Sequence, residues 1–272
     1  MTDLGISLVL LASIVLICEG TRKLISYLFS GKDYGIYLVE TVSTYQLCAC
    51  THELKVLAEV GRIESHIGLT LTYIMVVVHV ITFHGAFCNP NVALDNIYRK
   101  NITRRSAAAR IVCMFIGAKS AHILAPHIWS VGLSDHHIRH TKFGFKCFSP
   151  INGSHLEAVG VELACTFTVQ ATVMHLHKLD NKRLHVHVIA AVVTALVYSG
   201  GHISGAVFNP VLAFSVQFPC SGNSFLEYTL VYWLGPIMGM ALCILVFDKV
   251  IPLLFGKSTS GLDFPAVQKK VQ

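Results

Sequence analysis

Gly85-Ala86-Phe87-Cys88-Asn89-Pro90-Asn91-Val92 returns 120 residues later as Gly205-Ala206-Val207-Phe208-Asn209-Pro210-Val211-Leu212. A second pair lies at nearly the same offset. Glu40-Thr41-Val42-Ser43-Thr44-Tyr45 and Glu162-Leu163-Ala164-Cys165-Thr166-Phe167 share Glu-x-x-x-Thr-aromatic, 122 residues apart. One Asn-Pro is a turn signal. Two, in register with a second shared motif, mark an internal duplication.

The surroundings of this duplication are made for lipid. The chain has 272 residues, 53% hydrophobic and only 13% charged, with a mean hydropathy of +0.60. Soluble domains carry about 25% charged residues, so too few polar groups remain here to coat a globule in water. A secreted disulfide miniprotein, a disordered regulator and an ordinary cytosolic enzyme are excluded. Apolar runs cover 4–18 (extendable to 29), 36–52, 67–83, 111–133, 158–176, 186–200 and 228–247. A spanning helix needs about 20 such residues, and neighbouring residues extend most of the runs to that length. The pieces after Asn89 and Asn209 are too brief to span, and such interrupted segments at matching places in two halves point to a transport site.

Each half contains three spanning runs, an odd number, so the second half enters the bilayer upside down. The two Asn-Pro segments are then expected to dip in from opposite faces and meet near the midplane. The run 4–29 lies outside the repeat. Met1-Thr2-Asp3 gives it no basic start, and no small-x-small cleavage site follows, so it is expected to be an uncleaved helix.

The net charge of +6 does not point to nucleic acid, because the basic residues sit in short stretches between apolar runs with no aromatic-basic patch. Fifteen of the 21 Lys and Arg fall in 19–35, 95–110, 178–183 and the tail from 249. The positive-inside rule assigns those segments, and the C-terminus, to the cytosol. The nine cysteines lie mostly within apolar runs without a Cys-x-x-Cys pair, and they read as small hydrophobes.

Asn-Pro suits the start of a re-entrant helix. Proline has no N–H to leave unpaired in the first turn, and asparagine is a leading N-cap whose amide N–H can also reach a passing solute. Two facing helix N-termini put partial positive charge at a pore centre, which holds water oxygens and repels hydronium.

With these features the chain resembles the aquaporin, or major intrinsic protein, family. The Asn-Pro boxes, the Glu-x-x-x-Thr pairs, Gly201-His202-Ile203-Ser204-Gly205-Ala206 and Trp233-Leu234-Gly235-Pro236-Ile237-Met238-Gly239 carry the likeness over residues 36–250. The resemblance implies an all-α membrane protein: an inverted repeat of six transmembrane helices plus two re-entrant half-helices, with an extra N-terminal helix. The organisation expected is that extra helix at 1–32, a channel domain at 33–250 and a cytosolic tail at 251–272. The repeats take about 33–150 and 151–250 of the channel domain. The resemblance also implies a homotetramer, water and small neutral solutes such as glycerol or hydrogen peroxide as cargo, and neither catalysis nor a cofactor.

The departures from the family pattern are informative. The boxes usually read Asn-Pro-Ala, whereas the third residues here are Asn91 and Val211, and the usual following arginine is Leu212. With Cys220 eleven residues past Asn209, the chain looks like the unorthodox intracellular branch, the superaquaporins. Offsets from the boxes map the narrow filter to Leu69, Val197, Ala206 and Leu212, all apolar. Such walls leave hydrogen bonding to the two asparagines and to exposed carbonyls. Intramembrane Glu40 and Glu162 are given a structural role, accepting hydrogen bonds from the loop backbone that lipid cannot satisfy. Cys220 is either a small core residue or a cysteine tied to folding or assembly. The ending Lys269-Lys270-Val271-Gln272 looks like a dilysine retrieval signal and favours the endoplasmic reticulum or another intracellular membrane.

Two rival readings stay open. His136-His137-Ile138-Arg139-His140, read as a loop, is the kind of box that membrane metalloenzymes use. They need several such boxes, and only the loose pairs His175/His177 and His185/His187 accompany it, so no metal is expected. A non-conducting scaffold with the same fold would also carry an apolar filter.

Overall fold

The computed structural model describes residues 2–30, 34–176, 181–218 and 220–255, and the chain in them is helical. Seven long helices and three short ones follow one another, with no strand among the described residues beyond an isolated bridge between Phe148 and Ser221. They are α1 (Asp3–Leu28), α2 (Gly35–Glu59), α3 (Ser65–Thr82), α4 (Pro90–Tyr98), α5 (Arg104–Ser130), α6 (Asp135–Lys142), α7 (His155–Leu176), α8 (Lys182–Ser204), α9 (Pro210–Val216) and α10 (Phe225–Leu254). The retrieval-like Lys269 and Lys270, and His177, lie outside the described residues.

By length and composition, α1, α3, α5, α7, α8 and α10 are each apolar enough to cross a membrane. The seventh long helix, α2, is not among these. Its 25 residues span about 37 Å, but Glu40, Ser43, Thr44, Gln46, His52 and Glu53 lower its hydropathy. All six are buried against other helices and stay out of lipid. Large apolar side chains face outward instead, among them Leu16 at 70%, Tyr198 at 70% and Leu253 at 83% exposure, a surface that water would not tolerate.

Several helices outrun their apolar stretches because capping decides where they start. Thr103 accepts a hydrogen bond from Ser106 N, so α5 begins at Arg104 and Arg110 lies inside it. Arg22, counted above with a cytosolic loop, is in α1 and 1% exposed. The expected His136–His140 loop is the helix α6. Ser134 caps it, Asp135 sits in its first turn and Arg139, His140 and Lys142 in its last, the charge order a helix dipole favours.

The two halves repeat one packing device. A Cβ added to Gly117 of α5 would lie 2.4 Å from Thr41 O and 3.2 Å from Thr44 Cβ, and one on Gly239 of α10 2.3 Å from Leu163 O and 3.0 Å from Thr166 Cβ. The threonine of each Glu-x-x-x-Thr motif therefore marks where α2 meets α5 and where α7 meets α10, backbone nearly against backbone. Proline shapes α10 as well. Gly235 and Ile251, each directly before a proline, hydrogen-bond five residues back, to Leu230 O and Val246 O. Proline cannot make the regular bond and its ring crowds the carbonyl four residues back, so the helix widens into a π-turn ahead of each one.

Candidate functional site

Each Asn-Pro box starts a short helix as its residues dictate. Asn89 is the N-cap of α4, its side chain accepting from Asn91 N at 3.0 Å, and Asn209 is the N-cap of α9, accepting from Val211 N at 3.1 Å and Leu212 N at 3.4 Å. Pro90 and Pro210 occupy the first helical turns. The residues just before the boxes are left-handed without being glycine, Cys88 at φ 54° and Phe208 at φ 38°. Such a conformation costs about 1–2 kcal/mol, so something must hold it.

The two buried carboxylates do so. Glu40 Oε1 accepts from Phe87 N at 2.8 Å and Cys88 N at 2.7 Å, while Oε2 meets Arg110 Nη1 at 2.6 Å. Glu162 Oε1 accepts from Val207 N at 3.0 Å and Ser204 Oγ at 2.7 Å, and Oε2 from Phe208 N at 2.5 Å. Both glutamates are 0% exposed. One ends in an ion pair and the other in hydrogen bonds, but the turn they grip is the same. Arg110, Ser204 and Tyr232, whose hydroxyl donates to Ser204 O at 2.6 Å, brace these clamps. No motif singled out Arg110 or Tyr232, and Ser204 stood in the quoted stretch 201–206 without a role assigned to it.

The boxes meet. Asn209 Nδ2 donates to Cys88 O at 2.8 Å, and Asn89 Nδ2 donates to Phe208 O at 3.3 Å. Each asparagine thus grips the carbonyl that precedes the other, and α4 and α9 stand tip against tip. Beyond the tips, α4 is tied to α10 through Asp95, Arg99 and Asp248. Lys55 Nζ holds the far end of α9 by donating to Val216 O and Gln217 Oε1, both at 3.0 Å.

A cavity of about 220 Å³ opens on one side of this junction, with Asn89, Asn91, Asn96, Gln170, Val173 and Phe208 in its wall. Asn91 is 2% exposed, and neither its Oδ1 nor its Nδ2 has a hydrogen-bond partner among the described residues. An unmatched buried amide costs about 1–3 kcal/mol, a cost the first box bears beside this cavity and the second box, with valine there, does not. Val211, at the same position of the second box, is 0% exposed and packs with Ala93, Met114 and Ala118. Of the apolar positions mapped to a filter, Leu69 on α3, Val197 on α8 and Leu212 on α9 are partly exposed, and Ala206, before the second box, is 4% exposed.

Cys220 is bonded to Cys147. Of its two readings that sets aside the small core residue, while six of the other seven cysteines are buried and free as small hydrophobes would be. The signal was available: both residues sit in segments that the charge bias leaves outside the cytosol, where disulfides persist. Closing a loop across 73 residues is worth up to about 4 kcal/mol by chain entropy. Cys147→Ser and Cys220→Ser are therefore each expected to lower the melting temperature of the detergent-solubilised protein. The double variant should fall no further than either single one, as differential scanning fluorimetry would show.

A family model for the major intrinsic proteins matches residues 28–247. Human Aquaporin-11 is 33% identical over 257 residues, covering 94% of both chains. Aquaporin-12 of Mus musculus is 35% identical over 263 residues, 95% of this chain and 90% of its own. Among solved structures, the aquaglyceroporin from Plasmodium falciparum superposes with a TM-score of 0.63 at 15% identity, over 80% of this chain and 96% of its own. That last likeness speaks for the fold alone.

Proposed function

The chain belongs to the major intrinsic protein family, the aquaporins, and from that premise we propose that it is a passive conduit for water which also admits small neutral solutes such as glycerol and hydrogen peroxide. The class this membership gives is a multi-pass membrane channel and not an enzyme. What carries the finer reading is the reciprocal grip of Asn89 and Asn209 on the carbonyls of Phe208 and Cys88. An amide N–H₂ has two donors. With one committed to the opposite box, each asparagine keeps one for a solute.

The remaining roles follow the same reading. Pro90, Asn91, Pro210 and Val211 complete the boxes, and Leu69, Val197, Ala206 and Leu212 form the apolar narrowing. Without an arginine there, solutes shed their water against hydrocarbon, so flux is slow to moderate and a glycerol-sized molecule is not turned back by charge. Glu40 and Glu162 remain structural, residues 33–250 form the channel domain, and the working unit is a homotetramer. The ending Lys269-Lys270, the likeness to the unorthodox branch and the disulfide together favour the endoplasmic reticulum, whose lumen keeps Cys147 and Cys220 oxidised.

Stopped-flow light scattering on proteoliposomes tests the reading. Water shrinkage is expected to be faster than in empty vesicles, with glycerol and peroxide entry above background. Asn209→Leu should return all three to background while the protein still reconstitutes. Equal rates in loaded and empty vesicles would leave the non-conducting scaffold instead.

A further inference from the structure

Away from the pore, where α1, α2 and α6 meet, Glu53, His136 and His137 converge. They are 1%, 0% and 0% exposed, and one donor atom from each lies within 4.8 Å of the others. His137 Nε2 is 3.1 Å and His136 Nε2 3.7 Å from Glu53 Oε1. Ser7 Oγ of α1 completes the group, 3.1 Å from His136 Nε2 and 2.5 Å from Glu53 Oε1. Tetrahedral zinc with bonds of about 2.0–2.2 Å sets its ligands about 3.3 Å apart, the range these separations straddle.

Charge makes the same demand. A buried carboxylate needs a cationic or fully donating partner. Glu40 has Arg110. The groups recorded in contact with Glu53 are the two imidazoles, Ser7 and, on Oε2, Trp129 Nε1 at 2.9 Å. A dication held among these groups would set positive charge directly against the buried carboxylate, as Arg110 does for Glu40. On the far side of the ring, His136 Nδ1 lies 3.3 Å from Ser134 Oγ, a partner that can fix the orientation of the imidazole.

We propose that Glu53, His136 and His137, with Ser7 in the fourth position, form a structural zinc site that fastens the extra N-terminal helix to the channel body. The donors, two imidazoles and a carboxylate with a hydroxyl, suit zinc. The site is closed and not catalytic. The neighbouring cavity of about 600 Å³ is walled by His52, His140 and Trp129 and reaches none of the three ligands. Nor does the proposal depend on what the pore conducts.

The test uses the full-length chain purified in detergent through a tag without histidines, then dialysed against metal-free buffer. Mass spectrometry of metals should find one zinc per chain in the wild type and in His127→Ala, an exposed histidine elsewhere on α5. His136→Ala/His137→Ala should hold none. If the double variant does not fold, the wild type still decides. A chelator should lower its melting temperature, added zinc should restore it, and cobalt in place of zinc should give the intense visible bands of a tetrahedral site. A wild type that retains no zinc, and whose melting is unmoved by chelator and by zinc, overturns the proposal.

Discussion

Replacing Glu162 with leucine is expected to leave no correctly folded protein in the membrane. The carboxylate takes three hydrogen bonds, from Val207 N, Phe208 N and Ser204 Oγ, and leucine takes none. Each stranded donor costs about 1–3 kcal/mol, so the loss is on the order of 3–9 kcal/mol, against a typical stability of about 5–15 kcal/mol. Phe208, at φ 38°, loses what pins it, and the second box loses its shape with it. Glutamine keeps one carbonyl oxygen but turns an N–H₂ toward a backbone donor, so Glu162→Gln should fall between leucine and the wild type. Fluorescence-detected size exclusion of tagged protein measures this. A monodisperse leucine variant melting near the wild-type temperature would mean that the loop is held by something other than this carboxylate.

An equally large effect is expected from Gly239→Val or Gly117→Val. The added Cβ would meet Leu163 O at 2.3 Å or Thr41 O at 2.4 Å. Overpacking a core costs about 1–3 kcal/mol and occasionally more. Here the obstacle is a helix backbone, which cannot swing aside as a side chain can. The helix pairs must part, and both variants should be retained as aggregates in the same assay. Gly160→Ala is the control, since nothing lies within 4 Å of its added Cβ. If both valine variants behave like it, the close approach of α2 to α5 and of α7 to α10 is not required for folding.

Repetition made the architecture legible. Asn-Pro and Glu-x-x-x-Thr recur at a common offset, and residues serving one mechanical purpose in two places leave a trace that a single sequence displays. The membership and the fold followed from that trace. The clamps were anticipated as a role for Glu40 and Glu162, but their companions were not. Arg110 reads as a membrane-flanking base, and its distance from Glu40 in the chain hides the 2.6 Å contact. The disulfide was missed because Cys147 and Cys220 are far apart in sequence and the nine cysteines were read as a group, although these two stand outside the apolar runs. The helix α6 was missed because its histidines suggested chemistry, while its cap and charge order went unread. Gly117 carries no signature of its own, and Gly239 was quoted only as the end of a family stretch, since the packing role of a glycine in an apolar helix shows only when the neighbouring backbone is seen.

Because each asparagine fastens onto the other half's carbonyl, neither repeat completes the junction alone. Severed between α6 and α7, the chain would yield two fragments, each lacking the counterpart against which its own box is set. Coexpression would have to reunite them as a pseudo-heterodimer before the paired tips could form.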